Sequence, residues 1–126
     1  LSKPTSTMAR HHELGKIGEV LARRFLEGKG YKIAESNWRH GRAEIDLICW
    51  DGNVLVFVEV KTRSSKLFGH PAAAVTARKE AILIGAAGAY MEQIGHEWEF
   101  RFDIISVNRP ESLSPEIEHF PDAFYH

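Results

Sequence analysis

The stretch Glu44-Ile45-Asp46-Leu47-Ile48-Cys49-Trp50-Asp51-Gly52-Asn53-Val54-Leu55-Val56-Phe57-Val58-Glu59-Val60-Lys61 decides the fold. Gly52-Asn53 is a two-residue hairpin signal between runs rich in β-branched and aromatic residues, which predicts antiparallel strands over 44–51 and 54–61. Val54 to Val58 is apolar on both faces, as expected for a strand in the middle of a sheet covered on both sides. A two-residue turn sets Asp51 opposite Val54, and the same register carries Asp46 opposite Glu59 and Glu44 opposite Lys61. Directly opposed residues hold their Cβ atoms roughly 4.5–5.5 Å apart, so two like charges there work against pairing. A divalent cation between Asp46 and Glu59 turns that repulsion into coordination, because Mg²⁺ takes carboxylate oxygens together with waters and substrate phosphates. Lys61, expected among three carboxylates on that face, then suits a group that orients or deprotonates water on the ion and offsets charge on a phosphate. The bland alternative is a buried salt-bridge cluster kept for stability, a weaker reading because apolar residues would stabilise such a strand as well or better.

Outward from the hairpin, Leu14, Ile17, Gly18, Leu21, Ala22 and Phe25 recur at helical spacing and Gly28 and Gly30 supply a stop, predicting a first helix over roughly 13–28. Residues 1–12, polar and containing Pro4 and His11-His12, read as a loose arm or an appended remnant, with a single domain over 13–126. Tyr31 to Asn37 predicts a short strand leading into a basic loop, Trp38-Arg39-His40-Gly41-Arg42. On the other side, Ser64-Ser65, Gly69 and Pro71 mark a mobile loop that holds Lys66, and Thr76 caps a second helix to about Gln93. Phe100 to Val107 predicts a strand, followed by a tail punctuated by Pro110 and Pro115 and containing His119, which the sequence does not place. The order α-β-β-β-α-β predicts an α/β fold with a mixed four-stranded sheet flanked by helices.

Composition bounds the rest. With 126 residues, 44% hydrophobic and 26% charged, the chain suits one globular core and excludes disorder as its main description. The lone Cys49 cannot form an intramolecular disulfide and sits between Ile48 and Trp50 as a small buried hydrophobe, so a reducing, cytoplasmic setting is the expectation. The apolar run Ala81 to Met91 is short of the ~20 residues a membrane span requires. The net charge of −1 conceals a split: residues 1–66 carry +4 and residues 67–126 carry −5. Arg39, Arg42, Arg63 and Lys66 fall in loops at the ends of the strands that bear the carboxylates, where they suit contacts to nucleic-acid phosphates, and Trp38 among them suits stacking on a base.

Asp46 followed by Glu59-Val60-Lys61 on adjacent strands after an opening helix resembles the PD-(D/E)XK nuclease superfamily. Gly18-Glu19, Glu44-Ile45-Asp46-Leu47-Ile48, Phe57-Val58-Glu59-Val60-Lys61-Thr62-Arg63 and Arg101-Phe102-Asp103 together resemble the bacterial YraN family of predicted endonucleases, similar in fold to archaeal Holliday junction resolvases. The resemblance implies a restriction-endonuclease-like core in which Asp46, Glu59 and the Val60 carbonyl bind Mg²⁺ or Mn²⁺, Lys61 assists the water, and Glu19 adds a carboxylate. Helical periodicity alone leaves Glu19 on the shoulder of the first helix as a solvated residue. The resulting expectation is a metal-dependent phosphodiester hydrolase acting on DNA, branched or single-stranded. Its alternative is a nucleic-acid-binding module of the same fold with little catalysis of its own, working with a partner protein. No membrane partner is expected, and a homodimer enters by analogy with resolvases alone.

Overall fold

A computed structural model describes residues 7–64 and 76–124. In chain order these form α1 (Thr7–Gly28), β1 (Lys32–His40), β2 (Ala43–Asp51), β3 (Val54–Arg63), α2 (Ala77–Ile94), β4 (Phe100–Asn108) and β5 (Glu116–Phe124). The strands make one sheet in the order β1-β2-β3-β4-β5, antiparallel except for the parallel pair β3 and β4 that α2 connects. The central hairpin has the expected register from Asp51 opposite Val54 to Leu47 opposite Val58, and Gly52 supplies the positive φ of 60° that this turn requires.

Strand alternation sorts the apolar side chains into two cores. Leu55, Phe57, Phe102 and Ile104 pack under α2 with Leu83, Ala87 and Tyr90, while Val56, Val58, Ile105 and Val107 pack under α1 with Ala22 and Leu26. At roughly 25 cal/mol per Å² of apolar surface removed from water, these two layers dominate the stability of the fold. β3 runs through the middle with Leu55 to Val58 essentially inaccessible, which is why its sequence is apolar on both faces.

The α/β architecture and mixed sheet match expectation, and the sheet gains one strand. The tail expected after Pro115 is β5, an edge strand whose Ile117 and Phe120 lie opposite Val107 and Ile104. Its signal is masked by a register shift between Phe102 and Ile104 and by Pro121, which an edge strand tolerates because, among the described residues, one side of its backbone faces no partner strand. The expected basic loop is also mostly strand: Trp38, Arg39 and His40 pair with Ile45, Glu44 and Ala43, leaving Gly41-Arg42 as the turn. Trp38 extends β1 because its ring packs edge-on against Tyr90 of α2 and lies stacked on His40. Helix α1 begins at Thr7, ahead of the expected Glu13, so the second half of the expected loose arm is helical. The loop residues Ser65, Lys66, Gly69 and Pro71 lie outside the described residues.

A buried polar network ties β5 down on the α1 side. Asp103, fully buried, accepts from Arg101 Nε at 2.9 Å and Nη2 at 3.2 Å and from the Asp122 backbone N–H at 3.0 Å. His119 Nε2 lies 2.7 Å from the same carboxylate, and Lys29 Nζ lies 2.8 Å from His119 Nδ1. Arg101 also reaches Asp51 and the Tyr31 hydroxyl. Burial opposes the charge of Asp103, but the hydrogen bonds from His119 and Arg101 outweigh it and hold the carboxyl below its usual range.

Candidate active site

The site forms where β2 and β3 part. Asp46 and Glu59 are the next positions after the last ladder pair, Leu47 and Val58. There Asp46 Oδ2 accepts the backbone N–H of Val60 at 2.7 Å, so a side-chain carboxylate takes the place of a ladder carbonyl. Ile45 and Ile48 both pack in the α2-side core although they are an odd number of residues apart, so strand alternation fails between them. The kink leaves the Asp46 carboxylate between two diverging strands, beside Glu59.

Glu59 is 8% exposed and points, with Lys61, to the α2 side of β3. Its Oε1 is 2.8 Å from Lys79 Nζ and 3.5 Å from Lys61 Nζ. This differs from the expected arrangement of three carboxylates around Lys61. Glu44 turns to the exposed Arg39 at 2.9 Å, and Glu59 instead sits between two ammonium groups. The physical reason is the kink at Asp46, which ends the ladder before Glu44 comes opposite Lys61.

The charges of the site are unevenly compensated. Burial, then the neighbouring charge of Glu59, pushes the Asp46 carboxyl from an ordinary 3.8 up to about 7, against the Val60 N–H that favours ionisation; Glu19 and Glu44 push the same way. Burial lowers the pKa of Lys61 and the charge of Lys79 adds to that, with Glu59 opposing. Burial acts against the Lys79 ammonium as well, but its hydrogen bond and attraction to Glu59 prevail and raise it.

Gly18 seats α1 so closely on β3 that the charge of its neighbour Glu19 acts on Asp46. A Cβ at Gly18 would lie 2.0 Å from Thr62 Oγ1, so the bare backbone lets α1 sit directly on β3. Glu19 is further held by Asn37, whose Nδ2 donates to its two oxygens at 2.6 and 3.2 Å from a left-handed backbone position, φ 51°. With Gly15, Lys16, His12, Arg39, Asn37 and Glu44 it lines an open cleft of about 440 Å³. The other basic candidates are spread out: Arg42 is exposed in the β1–β2 turn, and Arg63 ends β3, its carbonyl accepting from the Arg109 N–H. Lys66 lies outside the described residues.

Among the described residues no group of three or more His, Cys, Asp or Glu side chains converges closely enough to hold a metal alone. A hard divalent ion here would take Asp46, Glu59 and the Val60 carbonyl, leaving positions for water and phosphate oxygens, the donor chemistry Mg²⁺ favours. The repulsion of half-buried Asp46 by buried Glu59 suits such an ion.

Two residues of this neighbourhood are absent from the sequence-level candidates. Asn37 reads as the end of a strand with nothing to mark its bond to Glu19. Lys79 has a usable signal: in a β-α-β crossover the helix starts near the carboxyl end of the preceding strand, so the first turn of α2 returns to Glu59 and Lys61.

Comparison with known sequences agrees with the motif set. The profile described as "Uncharacterised protein family UPF0102" matches residues 18–107, from the glycine that seats α1 to the penultimate residue of β4. The protein is 50% identical over 119 residues to the UPF0102 protein FP2501 of Flavobacterium psychrophilum, covering 94% of this chain and 99% of that one. It is 46% identical over 123 residues to a UPF0102 protein of Flavobacterium johnsoniae, covering 94% and 99%. A third, from Chlorobium limicola, is 45% identical over 120 residues, covering 90% and 93%.

Proposed function

The chain belongs to the UPF0102 family, the YraN-like family its motifs resemble, and we propose that it is a divalent-metal-dependent phosphodiester hydrolase acting on DNA. The observation that carries this reading is the pair at the parting of β2 and β3, Glu59 buried and Asp46 half-buried, with burial and the Glu59 charge pushing Asp46 up to about 7. Charges left in conflict at a largely desolvated position are characteristic of a working site. Asp46, Glu59 and the Val60 carbonyl hold Mg²⁺ or Mn²⁺, which when bound supplies Lewis-acid activation of water and stabilisation of phosphoryl charge. Lys61 shares the face of Glu59 and, with its ammonium disfavoured by burial, serves to position water and move a proton beside the phosphate. Glu19 places a further carboxylate at the cleft mouth, and Arg39, Arg42, Arg63 and Lys66 supply sequence-independent contacts to the DNA backbone.

One observation favours a second reading. Glu59 is already engaged by Lys79 at 2.8 Å, which is also the arrangement of a DNA-binding module that works with a partner and cleaves little by itself. A panel of single-stranded, duplex, flap and junction DNA in Mg²⁺ or Mn²⁺ separates the two. Wild type cleaves at least one substrate, and Asp46→Asn loses about a hundredfold or more in rate. Equal rates for the two proteins refute the hydrolase assignment. Salt-sensitive DNA binding without cleavage by wild type supports the module.

A further inference from the structure

The position of Lys79 breaks a local rule. It lies in the first turn of α2, its backbone N–H fixed to the Thr76 side chain at 3.1 Å, and the positive end of the helix dipole disfavours a cation there. Its ammonium nevertheless reaches Glu59 Oε1 at 2.8 Å, closer than Lys61 at 3.5 Å on the same oxygen. Two ammonium groups thus share one carboxylate oxygen and repel each other, which is more positive charge than Glu59 alone requires. What holds the cation against the helix dipole is Glu59, so the position of Lys79 is set by the site and not by its own helix.

We infer that Lys79 is the protein's own counter-cation for Glu59, holding the carboxylate while no metal is bound and yielding it to a divalent ion. The inference rests on the metal-site reading above and adds a competitor to it. Glu59 is nearly buried and needs a positive partner at all times, since an unpaired charge there is costly. Lys61 is embedded in β3 with its side chain 21% exposed, whereas the Lys79 side chain is 42% exposed and comes from a different element. Lys79 can therefore swing its flexible four-carbon stem into solvent without moving backbone, and its departure relieves the repulsion with Lys61. Metal binding must then displace a charge-assisted hydrogen bond, so affinity for the ion alone is held down.

The test is calorimetric titration of Mn²⁺ into wild type, Lys79→Met, Lys79→Arg and Glu59→Gln, with thermal melts in chelator and in Mn²⁺. Removing the competitor tightens Mn²⁺ binding about tenfold in Lys79→Met, the scale of one charge-assisted hydrogen bond. Lys79→Arg keeps the competing cation and binds as wild type, while Glu59→Gln loses binding. In chelator Lys79→Met melts lower than wild type, and Mn²⁺ raises its melting temperature more than it raises that of wild type. A purely structural lysine gives the lower melt without the tighter affinity. Unchanged or weaker binding in Lys79→Met, with Lys79→Gln as a second neutral variant behaving alike, overturns the inference while leaving the metal site intact. No Mn²⁺ binding by wild type overturns the metal reading itself and this inference with it.

Discussion

Replacing Asp46 by Asn should make the metal-free protein more stable, and only above acid pH. Burial and the Glu59 charge push the Asp46 carboxyl from 3.8 up to about 7 in the folded chain. A carboxyl whose folded pKa exceeds its unfolded pKa binds more protons when folded, so stability falls as pH rises between the two values and is flat outside them. The protonated carboxyl's contribution is thus fully present below about pH 4 and lost by the time pH passes about 7. At about 1.4 kcal/mol per pK unit, the gap of roughly three units sets an upper bound near 4 kcal/mol; strand ends that can spread apart bring the expected figure to about 2. Asn keeps an oxygen to accept the Val60 N–H and carries no charge at any of these pH values. Urea unfolding in chelator should therefore give nearly equal stabilities for the two proteins at about pH 3.5, a gap that opens through pH 4.5, and an advantage of about 2 kcal/mol for Asp46→Asn at pH 8. Adding Mn²⁺ at pH 8 should reverse the order, because the ion stabilises only the protein that retains both carboxylates. A difference that stays flat from pH 4.5 to 8, or a variant less stable at pH 8, refutes the reasoning and makes Asp46 a member of a stabilising ion cluster.

Two further substitutions probe the frame around the site. Gly18→Ala places a methyl 2.0 Å from Thr62 Oγ1 and should cost about 1–3 kcal/mol in chemical denaturation, partly recovered by adding Thr62→Ala; a gain in stability from helix propensity would contradict the close seating of α1. Asp103→Asn leaves Arg101 and His119 short of their buried partner and should cost about 3 kcal/mol or more, with Mn²⁺ affinity unchanged. Loss of that affinity in a folded variant would sink the separation of the network from the site.

What could be read from the sequence depended on whether the cause was local. The hairpin and its register follow from Gly52-Asn53 and from alternation, both contained within eighteen consecutive residues, and they place Asp46 next to Glu59. The capping of α2 by Thr76 is equally local. The kink at Asp46 was not legible, because it arises from a carboxylate competing for the Val60 amide across the strand gap. Register extended past that point therefore assigned Glu44 to Lys61, when its partner is Arg39. β5 was illegible because Pro121 and a register shift break its period, and what fixes it, Asp103, lies on another strand. Lys79 lies on a different element, twenty residues beyond Glu59 in the chain, so only the topology of the crossover brings the two together.

Among the described residues two clusters of buried and half-buried charge are built from the same residue types, and their state of satisfaction distinguishes them. Asp103 meets Arg101 twice, His119 and a backbone N–H, and its pKa is lowered: every contact favours the charge it carries. Asp46 has, among the described residues, one donor, the Val60 N–H, and faces Glu59, Glu19 and Glu44, so its pKa is raised. The first cluster has nothing left to bind and joins β5 to the sheet near Lys29 at the carboxyl end of α1. The second lies by Glu19, ten residues back along the helix or about 15 Å, and still lacks positive charge at Asp46. A network whose charges are all matched stabilises a fold and resists change, whereas one with an excess of carboxylate gains free energy by taking up a cation. The overall charge of −1 is therefore a poor guide to partners, because one total does not distinguish a carboxylate matched within a saturated scaffold from one at a site that a divalent ion would neutralise.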